Sequence, residues 1–70
     1  MNVAEVVRFH RKKSGLSRNE LAKIAGVGKT VIYDIEKGKE TIRFDSLLKI
    51  FKVLNITLDL KSPFMKDPKG

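Results

Sequence analysis

"SRNELAKIAGVGKTVIYDIEKG", residues 17–38, is the stretch that decides the fold. Ser17 and Glu20 stand at the S-x-x-E spacing of a capping box, in which a hydroxyl and a carboxylate satisfy the free N–H groups at a helix start. Leu21, Ala22 and Ala25 then share one face of a helix. Gly26, Val27 and Gly28 interrupt it after about two turns, because two glycines within three residues permit a sharp turn that other residues resist. Helical spacing resumes at Lys29: Val31, Ile32 and Ile35 form an apolar side, and Gly38 closes the segment.

Upstream, Val3, Val7, His10 and Arg11 share a face of a helix expected over 2–14, with Gly15 as its stop. Downstream, "KETIR" reads as a connecting loop. A last helix is expected from Phe44 to Leu54, with Asp45 in its first turn and Phe44, Leu47, Leu48, Phe51 and Leu54 at 3-and-4 spacing. Asn55 can end it in a left-handed conformation. "NITLDLKS", residues 55–62, alternates Ile56, Leu58 and Leu60 with Thr57, Asp59 and Lys61, as a half-buried strand does. Nothing else in the chain resembles its partner, and an unpaired strand leaves a row of backbone groups unsatisfied. Residues 1–61 form the expected domain, and "SPFMKDPKG", 62–70, a mobile tail.

Seventy residues allow one domain, and a core of that size stabilises a fold by only ~3 to 5 kcal/mol without extra support. With no cysteine and one histidine, neither a disulfide nor a zinc site is available to add to it. Association with a second copy is the remaining support. The 15 Lys and Arg outnumber the 8 Asp and Glu, for a net charge of +7. Ten basic and four acidic side chains fall within residues 8–43, so the positive potential sits in the first two-thirds and favours a polyanionic partner. The first residues are charged too early for a signal peptide, and no apolar run is long enough to cross a bilayer, so a soluble, cytoplasmic protein is expected.

Two short helices joined by a glycine turn suggest a helix-turn-helix, whose second helix lies in the major groove of DNA. In residues 29–37 the positions outside the core are Lys29, Thr30, Tyr33, Asp34 and Lys37, all on one face opposite Ile32 and Ile35. Lys can reach guanine O6 and N7, Thr a base or thymine methyl, and Asp can accept from cytosine N4. Lys29, Thr30, Tyr33 and Asp34 are therefore the expected base readers, with Lys37 a phosphate contact.

The stretch "VRFHRKKSGLSRNELAKIAGVGKTVIYDIEKGK" resembles the Xre/Cro-type helix-turn-helix family of phage and bacterial repressors. The resemblance rests on Val7, Arg8, Arg11, Gly15, Leu16, Ser17, Glu20, Leu21, Ala22, Gly26, Val27, Ile32, Ile35, Glu36 and Gly38. It implies an ion pair between Arg11 and Glu36, and phosphate contacts from Ser17, Arg18, Lys39, Thr41 and Arg43. One departure is Gly28, where the family often carries Ser or Thr; Thr30 is the hydroxyl placed to compensate. Residues 41–63, "TIRFDSLLKIFKVLNITLDLKSP", resemble the HipB-type antitoxins, in which such a strand pairs with its copy in a second subunit. The architecture so implied is all-α: a lambda-repressor-like bundle of four to five helices with one C-terminal β-strand pairing across a dimer through Ile56, Thr57, Leu58, Asp59, Leu60 and Lys61. The implied function is a repressor binding double-stranded DNA at an inverted-repeat operator as a homodimer. A HipA-like kinase toxin is the further partner that the antitoxin resemblance implies, and a stand-alone regulator of the same family is the alternative.

Other chemistries fit less well. "GVGKT", 26–30, imitates the end of a phosphate-binding loop, but Lys23 stands where its first glycine belongs and no strand precedes it. One histidine, set beside Arg8, Arg11 and Lys12, gives little from which to build a catalytic pair, so no enzyme, cofactor or metal is expected. The first helix is basic and amphipathic but short and without Trp, and no membrane partner is expected. Phe9, with Lys12 and Lys13 on its face, and Phe64 with Met65 have no evident core role. They are candidate contacts for a protein partner.

Overall fold

The computed structural model describes residues 2–59. Among them are four helices: α1 Val3–Lys13, α2 Arg18–Ala25, α3 Lys29–Glu36 and α4 Phe44–Val53. The sequence-based boundaries for the first and last helices are each about one residue too generous, which is the usual fraying at helix ends.

The helix starts follow from their side chains. Asn2 caps α1, its Oδ1 accepting from the Glu5 N–H at 2.9 Å. The capping box at α2 is complete: Ser17 Oγ accepts from the Glu20 N–H at 3.0 Å, and Glu20 Oε1 accepts from the Ser17 N–H at 2.8 Å. All four helices stop in the same way. A residue with positive φ follows each one, Gly15, Gly26, Gly38 or Asn55. The next N–H then reaches back five residues: Leu16 to Arg11 O, Val27 to Ala22 O, Lys39 to Asp34 O and Ile56 to Phe51 O, at 2.9–3.2 Å. This closure satisfies carbonyls that would otherwise be orphaned, and it needs glycine or asparagine at the left-handed position.

The helices pack α1 on α3, α3 on α2, and α2 on α4. Each supplies part of one core, made of Val7, Leu21, Ala22, Ile32, Ile35, Ile50, Phe51 and Leu54. The face expected of the last helix needs correction. Ile50, Phe51 and Leu54 are buried and Leu47 packs against them, whereas Phe44 is 58% and Leu48 42% exposed. At 3.6 residues per turn Phe44 and Leu48 stack in a row beside the one that meets the core, so a 3-and-4 count admits both rows.

The strand expected over 56–61, which was to pair with a copy in a second subunit, is not shown in the single chain. Among the described residues there is no strand; 56–59 follow α4 without regular structure, and Leu60, Lys61 and the tail 62–70 lie outside the described residues. A ladder requires a second strand about 4.8 Å away, and the described residues contain none. Ile56 nevertheless packs against the core, while Leu58 is 41% exposed. A cleft of about 250 Å³ lined by Val3, Val6, Phe51, Ile56 and Leu58 opens beside it. Among the described residues no helix is long and apolar enough to cross a membrane.

Candidate nucleic-acid interface

Gly26 turns the chain between α2 and α3, so that the two helices pack together and the outer side of α3 is left clear. Ile32 and Ile35 point into the core. On the opposite side Lys29, Thr30, Tyr33 and Lys37 are exposed and Asp34 is half-buried. The structure thus brings together all five residues expected on this face. α3 starts at Gly28 without a side-chain cap. Thr30 does not supply the missing hydroxyl bond, because its own position inside the first turn is past the N-cap site from which a side chain can reach back to the free N–H groups.

The ion pair implied for Arg11 and Glu36 is present and larger than expected. Arg11 donates from Nε to Glu36 Oε2 at 2.7 Å and from Nη2 to Oε1 at 3.1 Å, a bidentate fork. Its Nη1 donates to the Leu16 carbonyl at 2.9 Å, fixing the loop between α1 and α2. Arg18 joins the same carboxylate, donating from Nε to Glu36 Oε1 at 3.0 Å. Its guanidinium also lies over the Tyr33 ring, 4.9 Å from the ring centroid. Two charges on α1 and α2 therefore meet one on α3. The Glu36 side chain is 4% exposed. Burial alone would raise its pKa, but the hydrogen bonds and charges of Arg11 and Arg18 outweigh that and hold it below the ordinary carboxylate range.

Arg18 was expected from the family resemblance as a phosphate contact, and its engagement with Glu36 and Tyr33 is what the sequence did not reveal. Fifteen positions separate Arg18 from Tyr33, and no local spacing connects them; only the crossing of α2 over α3 does. The remaining expected anchors border α3. Ser17 sits exposed at the start of α2, and Lys37, Lys39, Thr41 and Arg43 are exposed along and after the end of α3. Lys39 Nζ approaches Asp34 Oδ2 at 3.4 Å, a weak link between an expected anchor and an expected reader. Arg43 pairs with Asp45 at 3.1 Å, both well exposed; the contact holds the Asp45 pKa down and the Arg43 pKa up. Such exposed pairs contribute little and exchange readily for another anion.

Outside this face, Phe9 is 48% exposed, with its ring edge-on to His10 and Lys13 Nζ 5.9 Å from its centroid. His10 Nδ1 lies 2.7 Å from the Val6 carbonyl within α1, and serves there as a half-buried helix residue.

Comparison with known proteins places this geometry. The pattern of the family described as helix-turn-helix matches residues 7–61. An uncharacterized HTH-type transcriptional regulator, y4mF, of Sinorhizobium fredii is 36% identical over 62 residues, 89% of this chain and 82% of that protein. The control protein C.SmaI of Serratia marcescens is 32% identical over 56 residues, 80% of this chain and 67% of that protein. Among solved structures, SinR, described as the master regulator for biofilm formation and crystallised in complex with DNA, superposes with a TM-score of 0.72. It is 32% identical over 80% of this chain and 90% of the SinR chain. A chain of the HipA–HipB–O2–O3 complex superposes with a TM-score of 0.74 at 23% identity, covering 86% of this chain and 84% of that one, which is a likeness of fold.

Proposed function

The chain belongs to the helix-turn-helix family of DNA-binding transcriptional regulators, and from that premise we propose that it is a sequence-specific repressor acting as a twofold dimer on an inverted-repeat operator. The observation that carries this reading is the outer face of α3, where Lys29, Thr30, Tyr33 and Asp34 stand together on a helix held by the Glu36 ion pairs. These four are the base readers. Ser17, Lys37, Lys39, Thr41 and Arg43 surround them as phosphate contacts, which fix register without reading sequence.

Dimerisation supplies the neighbouring strand. Residues 56–61 pair antiparallel with their copy in a second subunit, satisfying backbone groups and covering Leu58. Such pairing sets the two α3 helices about one DNA turn apart, roughly 34 Å, or a multiple of it.

The narrower role is that of an antitoxin that represses its own operon and binds a kinase toxin. Its support is the resemblance of residues 41–63 to HipB-type antitoxins, and the shared fold agrees with it without adding to it. Capture by the tagged chain of the product of the neighbouring gene tests this role; a neighbour that encodes nothing kinase-like removes the antitoxin role and leaves repression standing.

The main reading is tested by selecting duplexes from a random-sequence pool. The expected product is an inverted repeat bound with an affinity that falls steeply with salt, since each neutralised phosphate releases counterions. Lys29→Ala combined with Tyr33→Ala should abolish the preference. A pool that yields no enriched sequence, or one without twofold symmetry, would count decisively against the proposal.

A further inference from the structure

The geometry points to Arg18 as a positioning residue for sequence reading: it holds the Tyr33 ring in place on α3 rather than anchoring a phosphate. This inference rests on the DNA-binding reading above. It goes beyond that reading in assigning Arg18 a role in specificity that the family resemblance would not give it.

Three observations converge on Arg18. Its Nε is committed to Glu36 Oε1 at 3.0 Å, and that carboxylate is itself locked by the Arg11 fork. Its guanidinium carbon stands 4.9 Å from the Tyr33 ring centroid, within cation–π range. Its side chain is 36% exposed, against 82% for Arg43, whose exposed pair with Asp45 exchanges readily for a phosphate. Arg18 is held between a buried carboxylate and an aromatic face, so its guanidinium is already oriented by Glu36 and Tyr33 before a duplex arrives.

The consequence falls on Tyr33, which is 40% exposed among the readers of α3. An aromatic side chain at that position would otherwise choose among rotamers, and ordering it on binding would weaken the contact. The planar guanidinium restricts the choice beforehand. The chain Arg11, Glu36, Arg18, Tyr33 thus runs from the buried ion pair to the reading surface. Lysine could keep the charge at position 18, but it has no planar fork to bridge carboxylate and ring.

Arg18→Lys is the deciding variant. It retains the positive charge, and Glu36 keeps its two bonds from Arg11, so the fold should survive; thermal unfolding checks this. Binding is measured on a duplex enriched from a random pool by the native chain and on a scrambled duplex of equal length, across a salt series. The expected result is a preference for the enriched duplex reduced about three- to ten-fold, the worth of an ordered reader contact, with the salt slope unaltered. In a Tyr33→Leu background, Arg18→Lys should cause no further loss.

A second readout needs no DNA. Tyr33 is the only tyrosine in the chain, so an upfield ring-current shift of the Arg18 Hδ protons should be present in the native chain and disappear in Tyr33→Leu. Two results would overturn the inference alone: an Arg18→Lys variant that discriminates as the native chain does, or an Arg18→Ala variant that weakens both duplexes equally and flattens the salt slope by about 0.9. Absence of the Hδ shift would overturn it as well. A native chain that prefers no duplex sequence would overturn the DNA-binding reading itself, and this inference with it.

Discussion

The two ends of the bundle differ in how completely a single chain satisfies them. Where α1, α2 and α3 meet, Arg11 is 7% and the Glu36 side chain 4% exposed, yet both buried charges are paired and the helix C-termini are closed. Along α4 and the segment after it, Phe44, Leu48 and Leu58 are 58%, 42% and 41% exposed, and Val3 beside them 47%. The buried charges of the first region are satisfied within one chain, although Phe9 on α1 and Ile24 on α2 stay 48% and 60% exposed. The second is apolar surface of the kind that a second protein surface covers. The difference separates what folds the chain from what assembles it, and each region should fail in its own way.

The largest effect is expected at the first region. Glu36→Ala removes the shared carboxylate and leaves Arg11 buried without a counter-charge, which costs roughly 3 to 5 kcal/mol. A core of this size supplies no more than about that much, so the variant should be unfolded or nearly so by circular dichroism at 25 °C. Replacement of Phe44 by Ala, on an exposed row of α4, should change single-chain stability by about 0.5 kcal/mol or less. If the two variants lost helicity equally, the contrast between the regions would be wrong.

The same carboxylate gives the first region a pH dependence carried by a buried group. The Glu36 pKa is lower in the folded chain than its ordinary value of 4.5, so folding is favoured by the ionised form. Its contribution is therefore fully present above about pH 4.5 and is lost as pH falls through the depressed folded value. Glu20 adds in the same sense, its pKa lowered by the Ser17 backbone N–H and hydroxyl. Urea midpoints measured from pH 7 to pH 2 should be flat at first and then drop. A midpoint that rose on acidification would contradict the ion-pair account.

The second region responds to concentration instead. A chain stabilised by self-association gains about 1.4 kcal/mol per mole of dimer for each tenfold rise in concentration, so its thermal midpoint should climb with protein concentration. Leu58→Asp places a charge on that surface and should remove the climb, with sedimentation showing single chains. A native midpoint independent of concentration would mean that some other protein covers α4.

This contrast also marks what could be read from the sequence. Ser17 with Glu20, Gly26, Gly38 and Asn55 act within a few residues of themselves, and all stand where local spacing puts them. The Arg11–Glu36 pair, 25 residues apart, was accessible only through family resemblance. Arg18 on Tyr33 was accessible through neither, because it depends on how one helix crosses another. On α4 the apolar spacing was right in kind but could not tell the core row of Ile50 and Leu54 from the outer row of Phe44 and Leu48. Both rows obey helical periodicity; only packing separates them. The segment 56–61 is a related case, since alternation states which side chains share a face but not where the neighbouring strand comes from.

A small gain in stability is expected at the uncapped start of α3. Gly28 begins α3 with no side-chain bond to the free N–H groups, although its φ of −69° and ψ of 147° are ordinary for any residue. A Cβ there would meet nothing nearer than Thr30 Oγ1 at 3.8 Å, so serine fits without displacement. Gly28→Ser adds a capping acceptor and reduces the freedom of the unfolded chain, together worth about 0.5 to 1 kcal/mol. In a chain of this length that should raise the thermal midpoint by about 2 to 8 °C. The gain should be the same at every protein concentration, because the change strengthens the self-sufficient region and leaves the α4 surface as it was. A gain that grew with concentration would mean that the start of α3 takes part in assembly, and the division between the two regions would have to be redrawn.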